Sequence, residues 1–151
     1  MYRFILITLL ALSMQAQAQT KQAHQGNISR SGLAIEGYDP VAYFTSKKAV
    51  EGKKELAAKI NGTVYYFSNA KNLALFKANP NRYQPQYGGW CAYAMGNSGE
   101  KVEVDPETFK IVDGKLYLFY NKFFTNTLTD WNKDEANLKN RADKNWQKFI
   151  N

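Results

Sequence analysis

Two dipeptides do most to limit the folds open to this chain. Asn61-Gly62 and Asp113-Gly114 each separate two short apolar and aromatic runs, 56–60 from 63–67 and 109–112 from 116–120. Asn-Gly and Asp-Gly tolerate the positive φ angles of a two-residue turn whose twist matches the strands it joins. Two antiparallel hairpins are therefore expected. Between them, 69–78 reads as a helix capped by Ser68 and ended by Asn79-Pro80, with Leu73, Phe76 and Leu75 inward. At the C-terminus Trp131, Leu138, Ala142, Trp146, Phe149 and Ile150 share one helical face, and mixed charges cover the other. Asp39-Pro40 opens a short helical turn that buries Val41, Tyr43 or Phe44. The stretch 102–104 is a short strand candidate. The fold class expected is α+β: small antiparallel hairpins packed with a middle helix and a C-terminal amphipathic helix.

The N-terminus reads differently. Residues 1–18 have a positive start at Arg3, an apolar run over 4–14 and a small-x-small end at Ala16-Gln17-Ala18, the pattern of a secretory signal peptide. The apolar run is too short for a membrane helix, which needs roughly 20 residues. The polar, Gln-rich stretch that follows reads as a flexible tether, placed at 19–32, and the domain as 33–151. A periplasmic or secreted location is expected, with no integral membrane segment once the signal is removed. The chain carries 20 basic and 13 acidic residues, a formal charge of +7. These charges are scattered rather than gathered into a stripe, so no nucleic-acid partner is expected, and the excess suits solubility or weak attraction to anionic surfaces.

The usual catalytic motifs are missing: the sequence has no CxxC, HExxH, GxSxG or glycine-rich phosphate loop. One histidine, His24, falls in the tether, and one cysteine, Cys91, sits in Tyr87-Gly88-Gly89-Trp90-Cys91-Ala92-Tyr93. Exported proteins usually pair their cysteines. A lone one is a buried apolar filler, a reactive thiol, a metal ligand or an intermolecular link. As filler, 90–95 would be a core strand. As a soft ligand, Cys91 with Met95 four residues on suits Cu(I). The tyrosines of the same region, among them Tyr38, Tyr43, Tyr65, Tyr66, Tyr83, Tyr87 and Tyr93, either pack in the core or line a pocket for a small ligand.

Taken together, these motifs resemble the YHS-domain family in its longer, exported form. The resemblance spans 33–149 and rests on the run from Gly37 through Tyr38-Asp39-Pro40-Val41-Ala42-Tyr43-Phe44, on Tyr65-Tyr66-Phe67-Ser68, and on Pro85-Gln86-Tyr87-Gly88-Gly89-Trp90-Cys91-Ala92-Tyr93-Ala94. Ile111-Val112-Asp113-Gly114-Lys115-Leu116-Tyr117-Leu118 and Ala142-Asp143-Lys144-Asn145-Trp146 complete it. Short members of the family look like metal-binding modules, with one cysteine after Asp-Pro-Val and another after Tyr-Tyr-Phe. Here those positions are Ala42 and Ser68. The resemblance thus implies a metal-related ancestry and leaves Cys91 as the one thiol.

The leading expectation is a non-enzymatic binding module handling a transition metal (copper or zinc) or a small ligand. Cys91 is the principal metal candidate, Met95 and Asp39 are further ones, and Tyr93 is a weaker one. The alternatives are a thiol-dependent enzyme or redox partner with Cys91 as nucleophile, and a structural or partner-binding domain with Cys91 buried. Oligomeric state is left open.

Overall fold

The computed structural model describes residues 25–151. The residues read as a signal peptide, His24 and the first part of the expected tether lie outside the described residues. The architecture is α+β. Three separate two-stranded antiparallel sheets are covered by short helices and by one long C-terminal helix.

The first hairpin joins β1 (Lys53–Ile60) to β2 (Thr63–Phe67) through Asn61 and Gly62, at φ 50° and 84°. The second joins β3 (Asp105–Val112) to β4 (Lys115–Phe119) through Asp113 and Gly114, at φ 51° and 70°. Both turns are those the dipeptides predict. In each hairpin the register shifts near the open end, between Lys53 and Ala57 and between Asp105 and Phe109. The second irregularity accommodates Pro106, which has no amide to give a ladder.

Helix α1 (Ala42–Thr45) follows Asp39-Pro40 as expected and buries Val41 and Tyr43. Helix α2 (Ala70–Ala78) buries Phe76. Its cap is Asn69, whose Oδ1 accepts the Asn72 amide at 2.8 Å, and not Ser68. Ser68 is instead drawn to Asp39. Asn72 faces inward for the same reason, while Leu73 and Leu75 are only half-buried. After α3 (Pro80–Tyr83) the chain turns through Gln86–Gly89, with Tyr87, Gly88 and Gly89 all at positive φ.

The stretch 90–95 is not a strand. Ala92–Asn97 forms helix α4, with Ala92, Ala94, Met95 and Gly96 buried. Burial on several sides removes the amphipathic stripe by which a helix is read. Gly96 is required by a close approach, since a Cβ there would lie 2.4 Å from the Leu138 carbonyl oxygen. The expected strand at 102–104 is unpaired chain, although Val104 is buried. A small third hairpin, β5 (Asn121–Lys122) and β6 (Thr125–Asn126), was not foreseen. The C-terminal apolar face is shared by two helices, α5 (Thr127–Lys133) carrying Trp131 and α6 (Glu135–Ile150), broken at Asp134.

The core has two parts. One gathers Tyr43, Phe67, Phe76, Cys91 and Leu118 between the hairpins and α2. The other gathers Met95, Tyr117, Trp131, Leu138 and Trp146 under α6. Residues 25–31, read as tether, are bonded to the domain where described. The Asn27 amide donates to Gly88 O at 2.8 Å, and Trp90 Nε1 donates to Gln25 O at 2.7 Å. Among the described residues no helix is long and apolar enough to cross a membrane.

Candidate functional site

Cys91 caps the start of α4, and its side chain is fully buried. Its sulfur sits at the base of the third hairpin. The Tyr120 amide donates to Sγ at 3.4 Å, and Thr127 Oγ1 lies 3.4 Å from Sγ on the other side. Thr127 Oγ1 also donates to the Tyr120 carbonyl at 3.0 Å, and the Thr127 amide donates to that same carbonyl at 3.0 Å. A hydroxyl has one proton. With Thr127's proton on Tyr120 O, the thiol proton is left to donate to Thr127 Oγ1. Cys91 is then donor and acceptor at once, closing a ring of hydrogen bonds around Tyr120 and Thr127. Such a ring uses the neutral thiol.

The other metal candidates pack in different surroundings, although the Met95 amide donates to the Cys91 carbonyl at 3.0 Å, one helical turn away. Met95 is fully buried but packs in the second part of the core, whereas Cys91 packs in the first. Tyr93 is half-buried between the two. Asp39 is fully buried and accepts five donors. Oδ1 takes the amides of Val41 at 2.9 Å and Ala42 at 3.3 Å. Oδ2 takes the Ser68 amide at 2.8 Å, Ser68 Oγ at 2.6 Å and Asn72 Nδ2 at 2.8 Å. A carboxylate offers about four lone-pair sites, so Asp39 has none left for an ion. It ties α1, β2 and α2 together. Among the described residues no group of three or more His, Cys, Asp or Glu side chains is placed to hold a metal ion.

The tyrosines separate as well. Tyr43 is buried and donates to Pro106 O at 2.8 Å, and burial pushes its hydroxyl pKa up. Tyr87 donates to Asp143 Oδ1 at 2.8 Å, and burial, then this bond, raise its pKa. Tyr65 lines a cleft, where it accepts from Gln84 Nε2 at 3.2 Å; burial pushes its pKa up to about 12.

That cleft is built by four segments, with Ala34 and Ile35 joining three walls. Asn27 and Ile28 form one wall, the first hairpin around Asn61, Thr63 and Tyr65 a second, and Asn81 to the Gly88-Gly89 turn a third. It measures about 620 Å³, open solvent at its mouth included. Gly88 lets the chain pass close here, because a Cβ would lie 2.9 Å from Gly26 Cα and 2.9 Å from the Trp146 ring. Among the described residues no charged side chain lines the cleft. The two grooves that share its walls are different: one includes Glu36 and Glu103, the other Lys115 and Asp143. Cys91 lines none of the three.

Sequence reasoning missed the cleft because its polar residues are Asn, Gln and Thr scattered from 27 to 84, which carry no motif. The one available signal was Gly88-Gly89, which marks a close backbone approach. Comparison with protein-family models, with curated proteins and with solved structures finds no match to this chain.

Proposed function

We propose that this chain is an exported, non-enzymatic binding module of YHS-like descent that takes a compact, uncharged polar ligand in the cleft beside Tyr65 and Gln84. The observation that carries this reading is the cleft's lining. Among the described residues of this highly charged chain, no charged side chain faces it. Apolar side chains of Ile28, Ile35 and Ile60 alternate with the amides of Asn27, Asn81 and Gln84 and the Tyr65 hydroxyl. An ion entering there would lose water without gaining a counter-charge. A neutral group with donors and acceptors would not meet that cost. The cleft is open at its mouth, and its few side-chain amides and one hydroxyl suit one amide or the edge of one sugar ring.

Export is supported by the leader-like residues 1–18, and YHS-like descent by the Asp-Pro-Val and Gly-Gly-aromatic-Cys motifs. The metal expectation is set aside in this reading, because the Cys91 thiol and the Asp39 carboxylate are both committed to protein donors and acceptors.

Ligand-observed NMR tests it, with glucose, N-acetylglucosamine and acetamide set against glucuronate and glucosamine. Neutral probes should bind, and Gln84→Ala and Tyr65→Phe should each weaken binding about tenfold, the scale of one lost hydrogen bond. Preference for a charged probe, or indifference to both substitutions, would overturn the reading. So would copper or zinc held stoichiometrically by the wild type and lost in Cys91→Ser.

A further inference from the structure

Among the described residues, the third hairpin carries the two large apolar side chains that stand in solvent. Phe123 and Phe124 are 87% and 112% exposed. They are also the two turn residues between β5 and β6, at φ 49° and 66°. Asparagine and glycine are the usual residues of such a turn, as at Asn61-Gly62. An aromatic residue in this left-handed region is strained. The two rings gain no burial among the described residues, so their own packing does not offset that strain. Unrelieved strain of this kind points outward, to something the tip touches.

The tip is nevertheless held firmly. The ring of bonds through Cys91 closes its base. Asn121 Nδ2 donates to Thr108 Oγ1 at 3.0 Å, and Asn126 Oδ1 accepts the Leu128 amide to cap α5. Two rings are therefore presented on a narrow, convex and anchored support. A knob of this shape has no groove in which a peptide could lie. It does suit the boundary between headgroups and acyl chains, where aromatic rings settle.

Charge favours an anionic surface. Lys122 is exposed beside the rings, and no acidic residue lies within 120–127. The acidic group tied into the anchoring contacts is Asp105, whose Oδ2 accepts from Thr108 Oγ1 at 2.9 Å at the foot of the hairpin, away from the two rings. The chain as a whole has a charge of +7, which concentrates it near a negative membrane.

We propose that the β5–β6 hairpin is a reversible membrane-interface anchor, seating Phe123 and Phe124 in the outer layer of an anionic phospholipid bilayer with Lys122 at the headgroups. It uses residues distinct from the cleft and stands whether or not the cleft binds a ligand.

The test is co-sedimentation of the leader-free chain with phosphatidylcholine vesicles, with and without phosphatidylglycerol. The informative variant is Phe123→Asn/Phe124→Gly, which installs the residues this turn prefers and so keeps the hairpin folded. Wild type should bind the phosphatidylglycerol vesicles, and the double variant should bind roughly a hundredfold less, about tenfold per ring. Lys122→Glu should weaken binding to anionic vesicles while leaving the rings in place. Equal binding by wild type and double variant would overturn the proposal. So would wild type that binds no vesicle, including the case where it self-associates through the tip instead.

Discussion

Replacing Cys91 by alanine tests whether the lone thiol is a structural bond-former or a functional group. The side chain is fully buried, so deleting sulfur leaves a void of about one methyl group, worth roughly 1 kcal/mol by analogy with Ile→Val. The Tyr120 amide also loses its acceptor and the Thr127 hydroxyl its donor. An unmade buried bond costs about 1–3 kcal/mol, and a sulfur acceptor belongs at the low end. The sum is about 2–3 kcal/mol out of a total that is typically 5–15 for a domain. Cys91→Ser keeps a donor and an acceptor at the same place on a shorter bond, so it should lose only about 1 kcal/mol.

Urea unfolding of the three proteins measures these differences. Hydrogen exchange adds a local readout: in Cys91→Ala the Tyr120 amide should exchange faster than its neighbours in β4. The native thiol should also react with a disulfide reagent only as fast as the protein opens, because a buried thiol is inert. A loss below about 0.5 kcal/mol, the range of ordinary surface substitutions, together with rapid labelling of the native thiol, would refute the structural account and return Cys91 to the list of reactive groups.

Two further outcomes follow from buried and paired carboxylates. Asp39→Asn turns two protons of a side-chain amide toward groups that already donate, Ser68 and Asn72 or the Val41 and Ala42 amides. It should cost about 2–4 kcal/mol and lower the melting temperature by roughly ten degrees; an unchanged melting curve refutes the role assigned to Asp39. The second concerns pH. Lys110, and behind it the Trp131 indole, hold the Glu135 carboxyl below its ordinary value. A carboxyl depressed in the folded state stabilises fully above its unfolded pKa of about 4.3 and loses that contribution as pH falls through the lower folded value. Glu135→Gln should therefore flatten the fall in stability below about pH 4, and an acid limb identical to wild type would count against the pairing.

What could be read in advance was local. Asn61-Gly62 and Asp113-Gly114 dictate their own turns, because the left-handed conformation is a property of those residues and not of their surroundings. The α6 stripe of Leu138, Ala142 and Trp146 is legible because one face packs and the other is solvated. The third hairpin was illegible for the converse reason: Phe123 and Phe124 oppose the conformation they adopt, so contacts elsewhere must impose it. Those contacts join residues far apart in sequence. Cys91 meets Tyr120 and Thr127 across 29 and 36 positions, and Asp39 meets Ser68 and Asn72 across 29 and 33. Ser68 looked like a helix cap because capping is the local use of serine. A buried carboxylate offered a stronger bond.

The Gly-Gly-Trp-Cys run gains a physical meaning from these placements. Gly88 and Gly89 line the cleft, and Gly88 receives the N-terminal segment at its carbonyl. Trp90 pins Gln25 through its indole, while Lys101 holds the Gln25 side chain and lies 4.6 Å from the centre of the Phe149 ring. Cys91, the next residue, closes the base of the aromatic hairpin. Four consecutive residues thus hold the edge of the cleft, the N-terminal strap and the exposed tip, each by different chemistry. A substitution at Cys91 should loosen the tip and leave the cleft walls, which its side chain does not line. One at Gly88, whose added Cβ would strike both Gly26 and Trp146, should disturb the cleft and spare the Tyr120–Thr127 ring. The lone cysteine is in this sense the hairpin's end of a junction whose other end is the cleft.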